Sequence, residues 1–181
     1  MTNSKEKIKL IVNEPKKYLG RIVIGTDHAG FEMKEKLVPF IKKLGYEIKD
    51  CGAYKYDEFD DYPDFIAPVA KAVSDDPEKI KGIILGGSGQ GEAMVANKFP
   101  HVRATVFYGN RFFKKDDIIK LSKEHNDANI LSLGARFLSQ SEAEDAIVEW
   151  LATSFSGEYK HQRRIKKIDK IAREIRLKNH F

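Results

Sequence analysis

From Arg21 onward, short apolar runs alternate with longer stretches in which apolar side chains recur every three or four positions. The run Arg21-Ile22-Val23-Ile24-Gly25-Thr26 reads as a buried strand. Behind it Phe31, Leu37, Phe40, Ile41 and Leu44 mark one face of a helix that Gly45 closes. Pro39 falls inside that helix and is expected to kink it or weaken one turn. A second strand is expected over 46–51, then a polar, aromatic loop over 53–63. Asp64 is then expected to cap a helix carrying Phe65, Val69, Ala72 and Val73. The alternation continues with a strand over 82–86, a glycine-rich turn and a helix over 92–98. A strand over 103–108 and a helix over 111–123 follow, then a strand over 129–133 and a helix over 141–153 carrying Ala143, Ile147, Trp150 and Leu151. A basic helix over 158–178 ends the series. Five short apolar strands alternating with helices predict an α/β, doubly wound fold, a five-stranded parallel sheet with helices on both faces.

The lysine-rich residues 1–20, interrupted by Pro15, read as an extension outside this unit. The main domain is expected over 21–157 and the basic helix over 158–181. A length of 181 residues suits one such domain, which needs no covalent staple. Cys51 is the single cysteine, so no internal disulfide can form, and a reducing, cytoplasmic setting is expected. No apolar run approaches the roughly 18 residues of a membrane span. The polar start MTNSKEKIKL lacks the apolar core of a secretory leader. The formal net charge is +5, and it is concentrated at one end. Residues 157–181 hold nine basic side chains against three acids, which leaves the rest of the chain at −1. Such a tail reads as a solvated helix face, an arm that holds phosphate, or a nucleic-acid contact. Its scarcity of aromatics disfavours the last, and no nucleic-acid partner is expected.

Open parallel sheets bind ligands beyond the carboxyl ends of their strands, which directs attention to 26–30, 52–63, 86–92, 109–111 and 134–137. The turn Gly86-Gly87-Ser88-Gly89-Gln90-Gly91-Glu92 joins a buried strand to a helix, where backbone N–H groups can approach an anion closely. No Lys-Ser/Thr pair follows the glycines, so it is not a P-loop. The glycine spacing also differs from the dinucleotide fingerprint. Glu92 could simply complement a helix dipole. It lies four residues after Ser88, one too many for a capping box on that serine, and this leaves a chemical role open. Asp27-His28 at the end of the first strand reads either as a helix cap with an exposed ring or as part of a site. The five histidines and lone cysteine form no short-spaced metal-ligand pair, and the nucleophile elbow of serine hydrolases is absent.

Taken together, these blocks resemble the ribose-5-phosphate isomerase B family with its galactose-6-phosphate isomerase relatives, over about residues 21–168. The resemblance rests on Gly25-Thr26-Asp27-His28-Ala29-Gly30-Phe31, Asp61-Tyr62-Pro63-Asp64 and Gly87-Ser88-Gly89 with Ala96-Asn97-Lys98. Glu124-His125-Asn126-Asp127-Ala128-Asn129, Leu133-Gly134-Ala135-Arg136 and His161-Gln162-Arg163-Arg164 follow in the same order. It implies aldose–ketose isomerisation of ribose 5-phosphate through an enediolate, a pentose phosphate pathway step. A hexose 6-phosphate (allose or galactose 6-phosphate) and a non-catalytic sugar-phosphate sensor are the alternatives. Many members place a cysteine base where this chain has Gly86, while a second branch uses a glutamate at the position of Glu92. The resemblance therefore implies Glu92 as base, His125 as ring-opening acid, Asp27 handling a hydroxyl proton, and Ser88 steadying the oxyanion. It further implies substrate contacts at His28, Tyr62, Gly87, Gly89, Gly91, Asn126, Arg136, Lys160, His161 and Arg164, with no metal and no organic cofactor. Lys160 departs from a common arginine and loses a bidentate grip on phosphate. A homodimer, or a tetramer made of two, is implied, with the C-terminal helix completing the partner's site.

Overall fold

The computed structural model describes residues 19–109 and 117–178. Its five strands are β1 (Arg21–Thr26), β2 (Glu47–Asp50), β3 (Ile80–Gly86), β4 (Ala104–Phe107) and β5 (Ile130–Gly134). They form one sheet in the order β2-β1-β3-β5-β4, and every neighbouring pair is parallel. The helices among the described residues are α1 (Phe31–Lys43), α2 (Tyr62–Asp75), α3 (Gln90–Ala96), α4 (Ile118–Asn126), α5 (Gln140–Ala152) and α6 (Tyr159–Lys178), with a 3₁₀ turn at His28–Gly30. None is long and apolar enough to cross a membrane.

Each central strand buries both faces, and alternate residues feed two separate cores. Ile22, Ile24, Ile83, Leu85, Leu131 and Leu133 pack with Leu37 and Ile41 of α1, Ile119 of α4, and Ile147 and Trp150 of α5. On the other face Val23, Ile84 and Ile130 meet Ile66, Val69 and Val73 of α2 and Ala96 of α3. The doubly wound expectation therefore holds, with the strand ends shifted by a residue or two. Two local expectations change. Helix α1 continues through Pro39 to Lys43, because Pro39 faces solvent, where the carbonyl it leaves unpaired can be hydrated. Helix α2 begins at Tyr62 with Asp61 at its N-cap. Pro63 pre-sets the first turn, and Asp64 is an acid within that turn rather than the cap. Residues 1–18 and the first part of the helix expected over 111–123 lie outside the described residues.

The amino ends of the strands are tied by a polar knot. Asn129 is fully buried; its Oδ1 accepts from the Arg103 backbone N–H at 2.8 Å and its Nδ2 donates to the His101 carbonyl at 2.7 Å. Arg103 Nε donates to the carbonyls of Asn126 and Asp127, each at 2.9 Å, and its guanidinium pairs with Asp127 at 2.7 Å. These bonds pin the C-terminal end of α4 at this edge. Truncation of Asn129 to alanine would strand two backbone groups. The Asn129→Ala protein should therefore lose about 2–4 kcal/mol in urea unfolding, and a loss below ~1 kcal/mol would contradict the knot.

Candidate functional site

From β1 the chain winds outward to β2 on one side and to β3 on the other, so the crevice between the carboxyl ends of β1 and β3 is the switch point of this sheet. Asp27 and His28 leave β1 there, and the glycine-rich turn leaves β3 opposite them. Asp27 is buried, and its Oδ1 accepts the Ala29 N–H at 3.0 Å as the cap of the 3₁₀ turn. Burial nevertheless lifts its carboxyl above the ordinary range, outweighing that hydrogen bond and the nearby His28 ring. The cap reading of Asp27 thus holds, and the same carboxyl lies at the switch point.

Gly89 takes a left-handed conformation (φ 77°) and is the residue before α3, which places Glu92 in the third helical position. Counting from Ser88, as the sequence invites, misses this because the capping residue carries no side chain. Ser88 Oγ accepts the Gln90 N–H at 3.3 Å, and buried Ser132 in β5 donates to the Gly89 carbonyl at 2.6 Å, anchoring the turn from below. Glu92 is buried, and desolvation first, then the Asp27 charge, raises its carboxyl pKa. Its seat is made by Gly86: a Cβ at position 86 would overlap the Glu92 carboxylate. Strand end and helix therefore share one volume, which a glycine leaves to the carboxylate. Tyr62 packs its ring over Gly91, and the Arg136 guanidinium lies against Gly87. Arg136 is further held by its N–H donating to the Gly87 carbonyl at 3.1 Å.

Asp60 joins this edge from the 52–63 loop, although 32 residues separate it from His28 and the sequence did not single it out there. Its Oδ1 accepts the His28 backbone N–H at 3.0 Å and lies 2.7 Å from His28 Nδ1. Asp27, His28 and Asp60 bring ligand atoms within 4.8 Å of one another, a spacing a metal ion could use. Here Nδ1 and Asp60 Oδ1 face each other directly, and Asp27 Oδ1 is held by Ala29.

The remaining expected site residues are elsewhere. His125 and Asn126 are exposed at the end of α4, beside the amino ends of the strands that Arg103 ties down. Five or six strand residues put that edge roughly 15–20 Å from Glu92 in the same chain. His161, at the start of α6, is buried and stacks on His125 with ring centroids 4.3 Å apart. Burial and the His125 ring push the His161 pKa down, and Ser156 Oγ lies 2.7 Å from its Nδ1. Lys160 pairs with Glu158 at 2.8 Å, and Arg164 is exposed. Within one chain, then, the expected site residues form two clusters on opposite edges of the sheet.

A family model described as ribose/galactose isomerase matches residues 22–168. Ribose-5-phosphate isomerase B of Mycobacterium tuberculosis is 38% identical over 145 residues, covering 80% of this chain and 85% of that protein. The Escherichia coli enzyme of that name is 34% identical over 151 residues, covering 83% and 95%. Among solved structures, ribose-5-phosphate isomerase B of Mycoplasma genitalium with bound ribulose 5-phosphate superposes with a TM-score of 0.80 at 33% identity, covering 87% of this chain and 99% of that one. The Clostridium thermocellum enzyme gives 0.77 at 39% identity, covering 86% and 99%.

The raised carboxyl of Glu92 has a consequence for stability. The folded chain holds that proton more tightly than the unfolded chain, whose carboxyl titrates near the ordinary value of 4.5. Stability from this group is therefore full below that pH and is lost as pH rises through the folded pKa. Glu92→Gln should melt above wild type at pH 7, and the gap should close as pH falls toward 4.5. A variant that melts lower at pH 7 would contradict the desolvated carboxyl.

Proposed function

The chain belongs to the ribose/galactose isomerase family, and we propose that it interconverts ribose 5-phosphate and ribulose 5-phosphate with a site completed by a second copy of itself. The observation that carries the reading is the Glu92 carboxyl, buried beside Asp27 at the switch point, with Ser88 and the amides of the glycine-rich turn next to it. Relatives with the ribose-5-phosphate isomerase B name, one of them with ribulose 5-phosphate bound, support the choice of substrate.

The reaction begins with the furanose. His125 of the second copy protonates the ring oxygen, and Asp27 takes the proton of the anomeric hydroxyl, opening the ring. Glu92 then removes the C2 proton and returns it to C1, while the hydroxyl proton passes from O2 to O1. A carboxyl lifted towards neutrality by burial holds the proton long enough to deliver it. The Ser88 hydroxyl and the N–H groups of Gly87, Gly89 and Gly91 stabilise the enediolate oxygen, and Tyr62 and Asn126 contact the sugar hydroxyls. His28 and Arg136 face the phosphate from one chain, and Lys160 and Arg164 from the other. His161 backs the ring of His125.

A second copy is needed because the edge that carries His125 is a strand length away from Glu92. Helix α6 supports such pairing: Ile168, Ile171 and Ile175 are each more than half exposed and lie on one helical face. Residues 158–178 then act as the arm that brings Lys160, His161 and Arg164 to the partner. A soluble sugar phosphate and an unpaired Cys51 suit the cytoplasm.

Four outcomes test the proposal. Purified protein should convert ribose 5-phosphate faster than allose or galactose 6-phosphate run in parallel. Glu92→Gln should lower kcat by about 10²–10⁴-fold while substrate still binds, and near-normal turnover would remove Glu92 from the role. Gly86→Ala should melt close to wild type, because the new methyl meets only the end of a flexible side chain, yet lose kcat at nearly constant KM. Finally, Glu92→Gln and His125→Ala proteins, each inactive, should recover about a quarter of wild-type activity when mixed and allowed to exchange subunits, since half the hybrid sites are intact. No recovery would place both residues in one chain's site.

A further inference from the structure

One buried charge at the catalytic edge has no part in the chemistry above. Asp60 ends the loop between β2 and α2, and its side chain is only 10% exposed. Its ion pair among the described residues is with His28, and its Oδ2 is buried without a partner. Oδ1 alone does two things, accepting the His28 backbone N–H at 3.0 Å and facing the ring at Nδ1 across 2.7 Å. The Tyr56 ring stands edge-on to the same imidazole, with centroids 6.2 Å apart.

We propose that Asp60 is a positioning residue for His28, fixing the ring and its proton so that Nε2 is the nitrogen offered to the phosphate end of the substrate. The inference rests on the isomerase reading, in which His28 contacts substrate. Its physical basis is simple. An ionised carboxylate can only accept, so the nitrogen facing it at 2.7 Å carries a hydrogen, and Nε2 is left as the free ring nitrogen. Because one oxygen grips both backbone and ring, the imidazole is held in one orientation relative to its own main chain before substrate arrives. When the ring is doubly protonated, Asp60 also compensates its charge, and Nε2 becomes a charged donor to phosphate.

A purely structural role explains less. Asparagine would accept the His28 N–H equally well and would leave a neutral amide group, rather than a costlier carboxylate oxygen, unpaired at that position. The charge earns its place only through the ring.

The test uses the full chain and ribose 5-phosphate. Asp60→Asn should raise KM roughly tenfold with kcat little changed. His28→Ala should raise KM at least as much, and the double variant should match His28→Ala alone, because Asp60 acts through that ring. Asp57→Asn, which removes another carboxylate of the same loop while keeping the contact to Phe59 N–H, should leave both constants unchanged. An unaltered KM in Asp60→Asn, or effects that multiply in the double variant, would overturn the inference. Nitrogen-15 NMR of the His28 ring supplies a readout independent of turnover. Wild type should show the hydrogen on Nδ1, with the neutral ring moving towards the Nε2–H form in Asp60→Asn. A wild-type ring with bare Nδ1 would refute the positioning role even if the isomerase reading stands. A protein that shows the expected tautomer but never turns over ribose 5-phosphate would instead overturn both the isomerase reading and the role assigned to Nε2.

Discussion

The proposed catalytic edge of this protein depends on a volume that cannot be filled twice. At the end of β3 the Glu92 carboxylate rests where a side chain at position 86 would begin, so glycine there and glutamate on α3 require each other. The same seat removes the carboxylate from water and sets it near Asp27, and both effects push its proton affinity up. A base carried on the strand end and a base carried on the helix are thus alternative solutions to one spatial problem. In the proposed mechanism the chain uses the second, and the glycine at position 86 leaves the room that a carboxylate on the helix requires.

Around that seat the fold supplies rigidity from below and charge from the side. Ser132, a lone hydroxyl in an apolar strand, holds the Gly89 carbonyl and so fixes the left-handed residue from which α3 starts. The short link from β1 contributes Asp27 and His28 on the facing wall, and the long loop before α2 returns Asp60 to them. Carboxylates buried this way oppose stability at neutral pH, and the two-layer core of Ile, Leu and Val on both sheet faces is what offsets them.

The opposite edge is organised on different terms. Asn129 and Arg103 lock the end of α4 through backbone carbonyls, which presents His125 outward on a fixed platform with His161 stacked behind it. A helix that returns a parallel strand to the start of the next must end at the amino edge, so nothing in one chain can carry His125 to Glu92. The proposed pairing of two copies would resolve this, and the exposed isoleucines of the basic helix offer it an apolar surface.

The alternation of apolar runs was enough to establish the doubly wound sheet, because buried parallel strands and amphipathic helices differ in period at every segment. The glycine-rich turn, Asp27-His28 and Glu92 were legible too, since unusual residues at strand ends have few structural uses. Tertiary structure alone decided the rest. Asp60 looked like one acid in a polar loop until the fold set it 2.7 Å from a ring 32 residues earlier. Gly86 looked like a missing cysteine until its neighbour's carboxylate was found in its place. His125 and Glu92 looked like partners, although one ends a helix that returns the chain to the amino edge and the other opens a helix at the carboxyl edge of the same sheet. Periodicity is a local property that the sequence carries directly; which distant groups share a pocket depends on how the strands are ordered, and that is decided only when the chain folds.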